Sequence, residues 1–286
     1  MKHFALTLLL LTSISGFSQE LPSRWDELTA TDWEAALEKS NHTIILPIGI
    51  LEKHGPHGPI GSDLIKVREW SAMATKEEYA VVFPDYFYGQ VNEAKQQFGT
   101  FSLPSKLAME LLEATCQELG RNGFKRILIV NGHGGNPQMI RYFIQNQMEK
   151  KRDYVVYFFD PKMPKSITDK ASKLRNSDPA FDMHGGEKET SMLMHLRPEL
   201  VKMEYAKNES GKDQERLELS SDLYTAIWWY ASFPNHYAGV AEVSTPKLGK
   251  VLSDAMVSSL VQAIKDVKAD EQSLRLQEEY FKNVKQ

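Results

Sequence analysis

The side chains best suited to chemistry lie in three glycine-flanked stretches. The first, Ile48-Gly-Ile-Leu-Glu-Lys-His-Gly-Pro-His-Gly-Pro-Ile-Gly-Ser-Asp63, ends an apolar run with Glu52, His54, His57 and Asp63. The second, Asn131-Gly-His-Gly-Gly-Asn136, carries His133, and the third, His184-Gly-Gly-Glu-Lys-Glu-Thr-Ser191, carries His184, Glu187 and Glu189. Glu52 and His54 are two apart, so extended backbone points both to one side. The turn over residues 55–61 then folds Asp63 back towards them. Carboxylates and imidazoles converging at a strand end form a ligand set for a divalent ion such as Zn or Mn. Four of the eight histidines fall in these stretches, a concentration that solubility does not explain.

Plainer roles exist for each stretch. Residues 131–136 suit a tight strand-to-helix turn or an anion nest at a helix N-terminus. They lack the Walker lysine and the spacing of a dinucleotide fingerprint, which argues against phosphate binding. Glu187 and Glu189 suit the first turn of a helix, where acids complement its dipole. Being two apart they do not share a helix face, so one of them at most is a ligand. His195 and His236 read as structural or exposed, and His42 and the Trp228/Trp229 pair as packing.

The elements that must position these groups follow from periodicity. Strands are expected over 43–50, 79–84, 126–130 and 154–159, and the third is continuously apolar, as in a parallel sheet covered on both faces. Helices are expected over 24–38 with Asp32 as N-cap, over 65–77, over 137–151, after His184 and over 248–286. Over 105–122 the residues Leu107, Leu111, Leu112, Cys116 and Leu119 mark an amphipathic helix that Gly123 stops. Residues 162–180 and 207–218 read as irregular, solvated excursions. Strands alternating with helices imply an α/β fold class, a three-layer α/β/α sandwich with a mainly parallel sheet. No repeat or linker divides it, so residues 19–286 are expected to form a single domain.

The net charge of −4 leaves no basic footprint for nucleic acid or an anionic membrane. The one cysteine, Cys116, has no internal partner and reads as a buried, inert thiol. Lys2 and His3 precede an apolar stretch too short to span a bilayer, and Gly16 and Ser18 are small residues at −3 and −1 of a cut after Ser18. A cleaved signal peptide over residues 1–18 and a secreted or periplasmic location are therefore expected. No cysteine follows the cut to carry a lipid anchor, and export without disulfides suits a bacterial periplasm.

The three stretches together, with Gln97-Phe-Gly-Thr100 and Asn122-Gly-Phe-Lys-Arg-Ile127, resemble the creatininase (creatinine amidohydrolase) family over residues 43–197, and more loosely to 265. The resemblance implies an α/β sandwich, two divalent metal ions per chain (Zn and/or Mn, with Fe also compatible), hydrolysis of cyclic amides or related C–N bonds, and a homo-oligomer, often a hexamer. Carried over by position, Glu52, His54, Asp63 and His133 match metal ligands, with Asp63 bridging. The family's creatininase takes a further carboxylate two places after the histidine, where this chain has Gly135. Glu189 is expected to replace it, with Glu187 second. An aromatic substrate contact of creatininase falls on Gly134, so creatinine is not the expected substrate. The pattern is similar to relatives that deformylate a formamidopyrimidine or cleave a small peptide amide.

The expected function is that of an exported metal-dependent amidohydrolase. A metal-activated water attacks a cyclic amide, formamide or other small C–N bond substrate. His184 donates a proton to the leaving nitrogen or steadies the oxyanion, and Glu187 orients it or shuttles protons. Two other functions suit the same residues. One is a periplasmic metal- or small-molecule-binding module without turnover. The other is a two-metal peptidase on short peptides, although the chain has no His-Glu-x-x-His helix. The expected partner is a small-molecule amide substrate, with no nucleic acid and no membrane anchor.

Overall fold

The computed structural model describes residues 20–220 and 222–285. The signal peptide expected over residues 1–18 lies outside the described residues. Four strands, β1 (Thr43–Ile48), β2 (Val81–Val82), β3 (Arg126–Asn131) and β4 (Val155–Phe159), form one sheet in the order β2-β1-β3-β4. Every pairing is parallel, with Thr43 to Ile48 in register with Arg126 to Asn131. The helices are α1 (Trp33–Lys39), α2 (Ser62–Glu77), α3 (Ser105–Arg121), α4 (Asn136–Asn146), α5 (Lys165–Ser172), α6 (Glu187–Leu196), α7 (Trp228–Ser232), α8 (Pro246–Ala269) and α9 (Gln272–Asn283).

The alternation of side chains along the strands divides the core in two. Ile44, Leu46, Ile48, Ile127 and Ile129 pack with Leu112, Cys116 and Leu119 of α3 and Ile140 and Phe143 of α4. Ile45, Leu128 and Val130 face the other way, onto Val67 and Trp70 of α2, Met192 of α6 and Leu260 and Ile264 of α8. These are the three layers expected from the sequence, and they explain why β1 is buried along its whole length. Fully burying an isoleucine or leucine contributes about 1.5–3 kcal/mol, against about 0–1 for an exposed ion pair, so apolar burial holds the sheet.

Two expectations change. The first helix covers only Trp33–Lys39, and the Asp32 carboxylate does not cap it. Asp32 accepts from the backbone N–H and hydroxyl of Thr29 instead, which closes the turn before the helix. Residues 165–172, expected to be irregular, form α5, supported by a Lys165–Asp169 pair one turn apart and by burial of Ala171. A lysine-rich helix with so narrow a buried face leaves little periodic signal. Of residues 207–218, the first two end a short 3-10 helix, Met203–Asn208, whereas 212–218 are exposed and without regular structure, as their charge suggested.

From β1 the chain moves to β2 on one side, and β3 then lies on the other side of β1. Connections leaving in opposite directions open a crevice beyond the carboxyl ends of β1 and β3, the place where ligands bind in such sheets. Helix α6 is brought to this crevice by α8. A Cβ on Gly249 would lie 1.8 Å from the backbone oxygen of Ser191, so the two helices meet backbone to backbone. Gly249→Ala should therefore force them apart and cost about 1–3 kcal/mol of stability. Chemical denaturation would show it, and an unchanged midpoint would contradict this account of the packing.

Candidate metal centre

Six of the side chains singled out in the sequence converge in the crevice. The β1 strand delivers residues 49–61, a loop fixed where the Glu52 N–H donates to the carbonyl of Ile60 (3.0 Å) and the Gly58 N–H to that of His54 (3.2 Å). Asp63 stands in the first turn of α2, a favourable place for an acid. At the end of β3, the Asn131 amide spans the turn: its Nδ2 donates to the carbonyl of His133 (2.6 Å) and its Oδ1 accepts from Asn136 (3.0 Å). This holds His133 beside the β1 loop. His184 is pinned by paired backbone bonds with Ala238, and Glu189 follows it on α6.

The distances describe a compact cluster. His133 Nδ1 lies 2.8 Å from Glu52 Oε1 and 3.2 Å from Asp63 Oδ2. His54 Nε2 lies 3.2 Å from Asp63 Oδ1 and 3.8 Å from Glu189 Oε2. His184 Nδ1 lies 4.0 Å from Glu52 Oε1 and 3.8 Å from Glu189 Oε2. Each imidazole is oriented by its other nitrogen, bonded to a backbone carbonyl: His133 Nε2 to Gln90 (2.8 Å), His54 Nδ1 to Glu52 (3.3 Å) and His184 Nε2 to Lys53 (2.7 Å). Orientation of this kind turns a defined nitrogen towards a metal.

Two residues given no site role from the sequence complete the cluster. His236 is buried, and its Nε2 bonds Glu52 Oε2 at 2.6 Å, while its Nδ1 accepts from the Trp229 indole N–H at 2.7 Å. The indole fixes the tautomer, so Nε2 carries the proton and donates it to Glu52. That leaves Glu52 Oε1 facing His133. Lys66, one turn along α2 from Asp63, ion-pairs with Asp63 (3.1 Å) and with Glu189. A lysine three places after an acid is ordinary on an exposed helix, so the sequence did not mark it. His236 gave none, because it reaches Glu52 from 184 positions away.

Glu187 is not at the centre. Its carboxylate accepts from the backbone N–H groups of Asn176 (2.7 Å) and Ser177 (2.8 Å) and from the Ser177 hydroxyl (2.6 Å). The expected catalytic role is corrected accordingly: the side chain secures the loop before α6, because two places on a helix turn it away from Glu189. His57 also faces elsewhere, bonding Thr190 at 2.8 Å. A Cβ on Gly135 would fall 2.5 Å from His133 Nε2 and 2.6 Å from Gln90 Oε1, so no carboxylate fits at that position as the loop stands. Glu189 approaches from the opposite side.

The electrostatics suit a cation. Glu52 Oε1, His54 Nε2, Asp63 Oδ2 and His133 Nδ1 are buried atoms without a hydrogen-bond partner, all turned into the same space. Among the described residues, Glu52/Asp63/His133, His54/Asp63/Glu189 and Glu52/His54/His184 each form a trio able to hold an ion. Carboxylates and imidazoles are the donor set of Zn and Mn, so the residues fit such ions. Burial pushes the Glu52 carboxyl up, but His133 and His184 outweigh it and hold it at about 2. Burial likewise opposes ionisation of Asp63, and Lys66 and His54 pull it well below the usual range.

The chain belongs to the creatininase family. The family model described as Creatininase: Creatinine amidohydrolase matches residues 26–264. A mycofactocin precursor peptide peptidase of Mycolicibacterium smegmatis is 32% identical over 169 residues, 55% of this chain and 59% of its own length. The chain thus spans under two thirds of that relative. The creatinine amidohydrolase of Pseudomonas putida is 26% identical over 196 residues, 62% of this chain and 73% of its own. A creatininase variant solved in a Zn–Zn form superposes with a TM-score of 0.71 at 21% identity, covering 87% of this chain and 99% of that one. This agreement shows a shared fold.

The metal-free centre should be sensitive to alkali. Burial lowers the His54 value, but Asp63, Glu189 and Glu52 raise it from 6.5 to about 9. A proton held more tightly in the folded chain stabilises it fully below about pH 6.5, and the gain disappears as pH rises through about 9. His133 is raised for related reasons and acts with the same sign. Metal-stripped protein should lose on the order of 3 kcal/mol between pH 6.5 and 10, and His54→Gln should flatten the decline. Denaturant unfolding across that range measures it, and a flat wild-type profile would refute the protonated pair.

Proposed function

We propose that the chain is a metal-dependent amidohydrolase acting on a small C–N bond substrate. The observation that carries this reading is the convergence of four buried donor atoms, from Glu52, His54, Asp63 and His133, that have one another as close neighbours but no hydrogen-bond partner. Glu52, Asp63 and His133 would hold one divalent ion, and His54, Asp63 and Glu189 a second, with Asp63 common to both. Zn or Mn bound there supplies a water acidified toward pKa ~7 and polarises the scissile carbonyl.

The chain's own residues complete the chemistry. Burial, against the opposing pull of Glu52, holds the His184 imidazole down at about 4, so it is neutral at pH 7. With Nε2–H committed to the Lys53 carbonyl, the free lone pair is on Nδ1, facing Glu52 and Glu189. From there Nδ1 takes a proton during attack and returns it to the leaving nitrogen, as in general base then acid catalysis. Trp229 walls this side, its ring edge-on to His184 with centroids 5.8 Å apart. The space above Gly134 is open. An aromatic residue is therefore absent where creatininase has a substrate contact, which argues for a substrate other than creatinine.

A lactam, a formamide and a short peptide all fit this chemistry. The mycofactocin precursor peptide peptidases among the relatives support the short-peptide reading. Export, with cleavage after Ser18, and assembly as a hexamer belong to the same proposal, the first supported by the sequence of residues 1–18 and the second by the family resemblance.

Metal analysis beside assays on lactams, formamides and dipeptides tests the reading. Asp63→Ala should lose metal and activity together, whereas His184→Ala should keep the metal and lose at least a hundredfold in turnover. An Asp63→Ala protein with full metal content would sink the shared-ligand assignment. Glu189→Gln should also reduce bound metal. Glu187→Gln should leave turnover within about twofold, since its carboxylate ties down residues 175–177, away from the centre.

A further inference from the structure

Lys66 is an unusual neighbour for a metal centre. It is 2% exposed, and its ammonium is bonded to two of the three carboxylates expected to bind ions. Among the described residues no other lysine or arginine pairs with Glu52, Asp63 or Glu189. A buried ammonium costs several kcal/mol in lost hydration and persists only where fixed negative charge compensates it.

The ammonium divides the cluster unequally. Glu52 Oε1, His133 Nδ1 and Asp63 Oδ2 lie 2.8 and 3.2 Å apart in sequence, and none has a hydrogen-bond partner. In the other trio, His54 Nε2 faces Asp63 and Glu189, and both of those carboxylates are already engaged by Lys66. With the imidazoles in the neutral form that binds metal, three carboxylates and one ammonium sum to −2, which a single divalent ion neutralises. A second ion then meets a site without net attraction and competes with Lys66 for Asp63 and Glu189.

We propose that Lys66 is a resident counter-ion that makes the two metal positions unequal. The Glu52/Asp63/His133 position fills first and retains its ion. The His54/Asp63/Glu189 position fills second, by loosening the Lys66 ion pairs, and exchanges with the surroundings. Ambient divalent metal thereby sets the fraction of chains carrying both ions. This inference rests on the metal-centre reading above and adds an order of filling to it.

The test is a Mn2+ titration of metal-stripped full-length chain at pH 8, with free ion counted by electron paramagnetic resonance. Wild type should bind one ion at least tenfold more tightly than the second. Lys66→Met, similar in volume and uncharged, should tighten the second step at least tenfold. Lys66→Gln, uncharged but polar, should do the same, and it serves if the methionine variant does not fold. In both variants the rise in melting temperature on adding Mn2+ should exceed that of wild type. Equal affinity of the two wild-type steps would overturn the proposal. So would folded variants whose second ion binds no tighter or is lost, which would make Lys66 a prop for Glu189. A wild-type chain that binds no Mn2+ or Zn2+ would instead defeat the metal centre itself, so the two failures are distinguishable.

Discussion

Three carboxylates within a few ångströms of one another, Glu52 and Asp63 fully buried and Glu189 partly so, repel strongly, and removing such groups from water costs several kcal/mol each unless positive charge lies close by. This constraint accounts for much of the architecture around the crevice. Lys66 answers Asp63 and Glu189, His236 donates to Glu52, and His54 and His133 turn nitrogens towards Asp63 and Glu52. The backbone carbonyls of Gln90, Glu52 and Lys53 fix the rings from behind. A cluster with this many fixed orientations is preorganised: little rearrangement is left to accompany the arrival of a cation.

The sheet supplies the rigidity on which that depends. β1 and β3 are central, fully paired neighbours, and the Gly132 N–H donates to the carbonyl of Ile48 at 2.9 Å, so their ends leave the sheet side by side. Helices α6 and α8 close the arrangement from the other layer, where no side chain separates their backbones at Gly249. Glu189 can then reach across from α6, a route that a shorter path from the β3 turn does not offer while Gln90 and His133 crowd Gly135.

Much of this was legible in the sequence, for local reasons. Parallel strands buried on both faces read as apolar runs, and glycine-flanked histidines after such runs mark strand ends, so β1, β3 and the Glu52, His54, Asp63 and His133 group were visible without coordinates. What could not be read was long-range pairing. Periodicity places Glu187 and Glu189 on different helix faces but does not say which face meets the crevice, and the answer depends on how α6 packs against α8. His236 sits in a short irregular stretch at φ 57°, with no periodic neighbours to reveal its partner. Lys66 looks like an ordinary surface residue until the burial of α2 is known. The α5 helix stayed hidden because only Ala171 along it is buried.

The exposed, irregular residues 212–220 lie between Glu189 and His236 in the chain. The hydrogen bond from His236 to Glu52 and the backbone pairing of Ala238 with His184 cross that interval. A protease cut within it would leave the sheet and the carboxylates on the amino-terminal piece, and His236 and α8 on the carboxy-terminal one. The two pieces bury complementary apolar faces along α2, α6 and α8. The stretch thus divides the molecule into a larger and a smaller piece that share one site, which makes it a place to split the protein and ask whether association rebuilds that site.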